Sequence, residues 1–152
     1  MTAAVAAPLG GSVLALEAVP DPVFAGELVG SGAAVAPGDG DERATVVAPV
    51  SGTVAKLHPH AFVVLGADGA GILVHVGIDT VGLRGAGFEL HVAEGDTVEQ
   101  GQPVLDVDLA AVRAAGLSTV CPVILLDSEA GSVTPSAGST IRTGETLFTL
   151  PG

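Results

Sequence analysis

His58-Pro-His-Ala-Phe-Val-Val-Leu-Gly-Ala-Asp-Gly-Ala-Gly-Ile-Leu-Val-His-Val-Gly-Ile-Asp-Thr-Val-Gly-Leu83 is the stretch around which the rest of the chain is organised. Two short apolar runs are joined by a glycine-rich turn, which predicts a β-hairpin. His60 opens the first run and His75 sits in the second. A hairpin brings the chain back beside its own start, so these two histidines are expected to lie close together. The run Ile72-Leu-Val-His-Val76 reads as buried on both faces, and a polar ring there needs hydrogen-bond partners. Gly66, Gly69, Gly71 and Gly77 keep the surroundings low, so a bulky partner could approach the ring. After Gly77 the apolar run stops, and Ile78-Asp79-Thr80 turns the chain away.

Outward from this hairpin, the composition narrows the fold. The chain has 152 residues, room for one domain with a core. Hydrophobic residues make up 48 % but aromatics only 3 %, so the interior must be built from Val, Leu, Ile and Ala. The 22 glycines and 10 prolines call for many turns and favour short strands over long helices. Residues 1 to 6 read as a tail, and residues 7 to 152 as the single domain.

Two phrases are repeated. Ala7-Pro-Leu-Gly-Gly-Ser-Val13 recurs as Ala48-Pro-Val-Ser-Gly-Thr-Val54, and residues 95 to 107 (GDTVEQGQPVLDV) align without gaps on residues 138 to 150 (GSTIRTGETLFTL). An internal duplication of β-units of this size predicts a closed, pseudo-symmetric antiparallel sandwich or barrel. One short helix is predicted from Asp108 to Gly116, with Asp108 as its cap and Gly116 as its end. Leu117 to Leu126 reads as a buried strand, with Cys121 in it as a small hydrophobe.

Charge excludes some classes of partner. The formal net charge is −12, and five Lys and Arg cannot neutralise a run of phosphates, so no nucleic-acid binding is expected. An acidic chain is suited to a basic partner protein. A single cysteine makes no internal disulfide, no segment is long and apolar enough to enter a bilayer, and the N-terminus resembles no export signal; a soluble, cytoplasmic protein is expected.

Among four histidines, His91 has polar neighbours and reads as a surface imidazole, while His58 lies two residues before His60. Three chemistries compete for His60 and His75. A zinc hydrolase would use His and Asp79, but HExxH and paired cysteines are absent. A swinging-arm carrier would need a lysine at a hairpin tip, and the one lysine, Lys56, lies within a strand. Phosphoryl transfer through histidine would take its phosphoryl group from another protein, because there is no lysine-bearing phosphate loop. Val23, Phe24 and Leu28 sit in a loop-like, proline-flanked segment, either plugging the core from outside or forming a docking patch.

The motifs Val19-Pro-Asp-Pro-Val-Phe-Ala-Gly-Glu-Leu-Val-Gly-Ser-Gly-Ala-Ala34, Val46-Val-Ala-Pro-Val-Ser-Gly-Thr-Val54, His60-Ala-Phe62 and the long run from Gly71 to Gln102 together resemble the glucose-type IIA domains of the bacterial phosphoenolpyruvate:sugar phosphotransferase system. The resemblance covers nearly the whole chain. It implies an antiparallel β-sandwich with little helix and no cofactor. It places His75 at the phosphorylated histidine and His60 at the second active-site histidine. Asp21 and Asp79 match carboxylates that flank the site and meet basic residues of the donor, phospho-HPr. Val23 and Phe24 match an apolar docking rim, and Leu73 falls where relatives often have a larger apolar group. The acceptor it implies is a cysteine on a separate IIB domain of a sugar permease. Cys121 is no substitute, and a free-standing IIA is expected. One departure concerns the segment before His60, shortened here to Leu57-His-Pro-His-Ala-Phe62. Relatives often carry a Thr there, so either its hydrogen bond is missing or His58 replaces it.

The chemistry then follows. A neutral imidazole nitrogen of His75 attacks phosphorus while a backbone carbonyl near Gly77 holds the other nitrogen and fixes the tautomer. His60 offsets the charge of the phosphoryl oxygens.

Overall fold

The computed structural model describes residues 4–66, 69–133, 135 and 140–150. The strands are β1 (Ala4–Ala6), β2 (Gly11–Leu14), β3 (Gly30–Ala36), β4 (Arg43–Val47), β5 (Gly52–His58), β6 (Ala61–Gly66), β7 (Gly71–His75), β8 (Phe88–Leu90), β9 (Thr97–Val98), β10 (Pro103–Asp108), β11 (Cys121–Leu126), β12 (Thr140–Ile141) and β13 (Thr146–Thr149). Two short α-helices, α1 (Pro22–Ala25) and α2 (Leu109–Ala114), interrupt them, with single 3-10 turns at Leu16–Ala18 and Thr80–Leu83. An eight-stranded sheet in the order β12-β2-β3-β11-β7-β6-β5-β9, a three-stranded sheet β4-β10-β8 and the pair β1-β13 enclose one core, and every described pairing is antiparallel.

The main core is Val, Leu, Ile and Ala from all three sheets, with Phe62 and Phe148 as its buried aromatics. Each fully buried side chain of this size contributes about 1.5–3 kcal/mol of burial free energy. Helix α2 forms where the sequence places it: the Asp108 carboxylate accepts a hydrogen bond from the Ala111 backbone N–H at 3.0 Å, and Gly116 takes a left-handed φ of +79° after its end.

The duplication is real in three dimensions, and its two halves assemble crosswise. Each copy of one phrase pairs with the opposite copy of the other: Val98 of β9, in the first copy of its phrase, lies opposite Gly52 of β5, in the second copy of the other, and Ile141 of β12, in a second copy, lies opposite Gly11 of β2, in a first. The turn contacts repeat as well. The Gly101 N–H donates to the Ala48 carbonyl and the Gly144 N–H to the Ala7 carbonyl, both at 2.9 Å. Glycine is required at both strand starts, since a Cβ on Gly11 or Gly52 would meet a carbonyl oxygen of the neighbouring strand at 2.1 Å.

Four expectations are corrected. Ala4–Ala6 are strand β1, bonded to β13 with Val5 fully buried, so the tail assignment fails for them; an apolar Ala-Val-Ala can close a sheet edge. The described residues form two α-helices, not one. The extra helix, α1, is a single turn too short to show periodicity, started by Pro22 at its first position. The buried strand before Leu126 begins at Cys121, not Leu117. Finally, Gly66, Gly69 and Gly71 lie at the far end of the β6–β7 hairpin from His75, four residues and so about 13 Å along β7; only Gly77 borders the site.

Candidate active site

Strand β7 alternates. Ile72 and Val74 point into the main core, while Leu73 and His75 share the outer face, half-buried. That outer face is covered by the segment 15–29, which folds back over β3 and β11 through a second apolar cluster of Leu16, Val19, Phe24, Ala34, Ile78 and Ile124. The run around His75 is therefore sealed on one side and partly covered on the other, with the imidazole at the margin of the cover.

Phe24 forms one wall. It is only 8 % exposed, and its ring lies 5.2 Å from that of His75 at 56°. The sequence left Phe24 either plugging the core or on the docking rim that the resemblance implies; the structure buries it, with Val23 (42 % exposed) outside. Asp21 caps α1, its carboxylate accepting from the backbone N–H of Val23 at 2.9 Å and of Phe24 at 3.4 Å. The cap thus holds both apolar neighbours in place.

His60 forms the other wall. Its ring stands edge-on to His75, with 5.2 Å between centroids and an interplanar angle of 72°. His60 belongs to the tight turn between β5 and β6, one residue before the strand in which it was expected. His58, the last residue of β5, stacks on His60 with ring centroids 5.8 Å apart at 26°.

Below the site, Val76 N–H donates to the His60 carbonyl at 2.7 Å, tying the turn to the end of β7. The His75 Nδ1 lies 2.6 Å from the Gly77 carbonyl oxygen. A carbonyl oxygen only accepts, so Nδ1 carries the proton and Nε2 keeps its lone pair. Gly77 can present this carbonyl because its φ is +78°. A Cβ there would come within 2.5 Å of Thr80 Cγ2 and 3.0 Å of the Ser118 carbonyl. The loop is pinned by the buried Thr80 hydroxyl, which donates to the Val76 carbonyl at 2.7 Å, and by the Ile78 N–H, which donates to the Ser118 carbonyl at 3.0 Å.

The electrostatics keep both rings neutral near pH 7. Burial pushes His75 below its ordinary value; the Gly77 bond and the nearby Asp21 and Asp79 carboxylates oppose this without reversing it. His60 is lowered by burial first, then by His75 and His58. A neutral His75 with a free Nε2 lone pair is a nucleophile, and a second imidazole at its edge can meet the oxygens of an incoming group.

The other candidates separate from the site. His91 is at the surface, 3.0 Å from Asp106. Cys121 is fully buried, and its thiol is pushed up to about 12, so it is inert as a nucleophile. Among the described residues no group of three or more His, Cys, Asp or Glu is arranged to hold a metal ion, so the donor set needed by the zinc-hydrolase alternative is missing. No described helix is long and apolar enough to cross a membrane. Sequence reasoning missed Thr80, Ser118 and Val81. Val81 is 63 % exposed in the turn that follows the site. Thr80 stood next to Asp79 without a pattern to single it out, and Ser118 acts through a backbone carbonyl, which side-chain identity does not reveal.

Residues 3–131 match the family model described as phosphoenolpyruvate-dependent sugar phosphotransferase system, EIIA 1. The chain is 39 % identical over 145 residues to the glucose-specific EIIA component of Bacillus anthracis, covering 93 % of this chain and 86 % of that one. It is 42 % identical over 149 residues to the N-acetylglucosamine-specific EIICBA component of Klebsiella pneumoniae, covering 95 % of this chain but 22 % of that longer protein. Among solved structures, the glucose permease IIA from Mycoplasma capricolum superposes with a TM-score of 0.85 at 31 % identity, covering 99 % of this chain and 97 % of that one.

Proposed function

Since the chain belongs to the EIIA 1 family of the phosphoenolpyruvate-dependent sugar phosphotransferase system and is a phosphocarrier of such a system, we propose that His75 is the residue that carries the phosphoryl group. The observation behind this assignment is the 2.6 Å contact between His75 Nδ1 and the Gly77 carbonyl, which leaves Nε2 as the free nucleophile.

The donor in this reading is phospho-HPr. The Nε2 lone pair forms a bond to phosphorus in line as the donor's N–P bond breaks, and the electron pair of that bond returns to the donor's imidazole. A ring N–H of His60 then hydrogen-bonds a phosphoryl oxygen, replacing water around the new charge. In the second half-reaction a cysteine thiolate on a IIB domain attacks the same phosphorus, the N–P bond breaks, and His75 recovers its lone pair. The protein supplies position and a prepared environment.

Partner contacts divide by chemistry. Asp21 and Asp79 steer a basic donor and stay clear of the phosphoryl group, which their charge would repel. Val23 and Val81 offer exposed apolar contact around the site, with Phe24 and Leu73 supporting the floor from within. A IIB domain as acceptor is supported by the EIICBA architecture of the Klebsiella pneumoniae relative, in which the matched segment is part of one longer chain. Similar identity to glucose and N-acetylglucosamine components fits a carrier whose sugar is chosen by the permease.

Incubation with phosphoenolpyruvate, enzyme I and HPr, followed by intact mass and peptide mapping, tests the assignment. One phosphoryl group on His75 is expected; label on His91 or on a serine would overturn it.

A further inference from the structure

Gly77 orients His75, but nothing comparable orients His60. Among the described residues no backbone or side-chain group hydrogen-bonds the His60 ring. An imidazole without such a partner turns broadly about its terminal torsion, yet the edge-on contact with His75 requires one ring plane. Besides His75, the ring against His60 is that of His58, stacked on it with centroids 5.8 Å apart at 26°. His58 is itself exposed at the end of β5 and pairs with Ala61 across the two-residue turn Pro59-His60. Pro59 fixes its own φ and biases His58 toward the extended conformation, so the turn holds its shape.

We propose that His58 is a positioning residue for the phosphocarrier reaction, holding the His60 ring edge-on to His75 by stacking. The proposal rests on the reading that His75 carries the phosphoryl group and His60 stabilises it. A flat ring at position 58 is the requirement; a hydrogen-bonding group is not, because none reaches His60 from there. The effect belongs to the step in which His60 handles the phosphoryl charge. It leaves intact the nucleophile, which Gly77 orients separately.

The test compares the intact chain with His58→Ala, His58→Phe and His58→Ser. Each is phosphorylated by phosphoenolpyruvate, enzyme I and HPr, then discharged onto the cysteine of a IIB domain, with the two half-reactions timed separately and the His60 ring nitrogens followed by NMR. Stacking of this kind is worth about two- to tenfold. His58→Ala and His58→Ser are therefore expected to accept phosphate on His75 at the unmutated rate, to donate about two- to tenfold more slowly and to shift the His60 ring signals. His58→Phe is expected to restore both donation and signals. Donation by His58→Ala at the unmutated rate, or a His58→Phe as slow as His58→Ala, overturns the role of stacking; recovery in His58→Ser alone would assign the position to hydrogen bonding instead. Absence of label on His75 in the unmutated chain defeats the site assignment as well, so the two failures are told apart.

Discussion

The ring of His60 meets the edge of His75 at 5.2 Å, although the β-ladder alone would place the two on opposite faces. His75 is paired with Ala61, and paired residues share a face. Strict alternation from Ala61 would therefore send His60 to the side of Val76, which is buried in the main core. Because His60 lies in the turn before β6, the pleat does not bind it, and its ring falls on the outer face with His75. Both rings become available to one incoming group.

The nucleophile prediction is the plainest. His75→Gln removes the Nε2 lone pair while keeping a polar side chain of similar reach. Acceptance of phosphate is expected to fall by more than about 10³-fold, read by intact mass after incubation with the phosphorylating system, with the unfolding temperature nearly unchanged.

His60→Gln should separate the two half-reactions. The nucleophile and its Gly77 contact remain, so label still accumulates on His75. Donation to the acceptor cysteine should slow by about 10²–10³-fold, the usual cost of losing one donor to a developing charge. Rapid-quench timing of each half-reaction measures the split, and equal loss in both would contradict the role given to His60.

Gly77→Ala tests the carbonyl that sets the tautomer. The added Cβ meets Thr80 Cγ2 and the Ser118 carbonyl at a left-handed φ. A destabilisation of about 1–3 kcal/mol is expected in denaturant titration. Ring-nitrogen NMR should also show His75 sampling both neutral tautomers, and acceptance should slow with it.

Acid should act on both activity and stability. His60 and His75 are held below their ordinary value of 6.5, so acceptance is expected to stay level on acidifying to that pH and to decline only below it. The unfolded chain binds these protons more readily than the folded one, so stability rises with pH across the interval between the lowered values and 6.5. The contribution is fully kept above pH 6.5 and lost as pH falls through the interval. Thermal unfolding followed from pH 7.5 downward should show the loss, and it should shrink in the His60→Gln, His75→Gln double variant.

Val81→Lys probes the contact surface without touching chemistry. Val81 is 63 % exposed, so the fold should tolerate the change. A basic donor would lose an apolar contact and meet a like charge. An increase of about tenfold in the donor concentration needed for half-maximal acceptance is expected, with no change in the rate at saturation.

Much of this was legible before any coordinates. The two apolar runs on either side of a glycine-rich turn, the duplicated phrases and the abundance of glycine and proline led to an antiparallel β fold, and the turn after His75 led to a backbone carbonyl near Gly77. Asp108 and Gly116 marked the ends of α2 because caps are local chemistry. What stayed hidden depended on distant segments. The one-turn helix α1 exists because the second apolar cluster draws Phe24 onto the outer sheet face, and four residues carry no period to read. Whether Phe24 plugged the core or lined a docking rim stayed open for the same reason.

The amino-acid order by itself determined which strands form, where glycine is obligatory and which histidines are candidates, because these follow from propensity, pattern and short-range sterics. Tertiary structure alone decided that His60 turns outward to His75, that His58 lies against it, and that Phe24 closes the far wall. Those placements come from a turn released from the strand pleat and from packing between segments far apart in the chain.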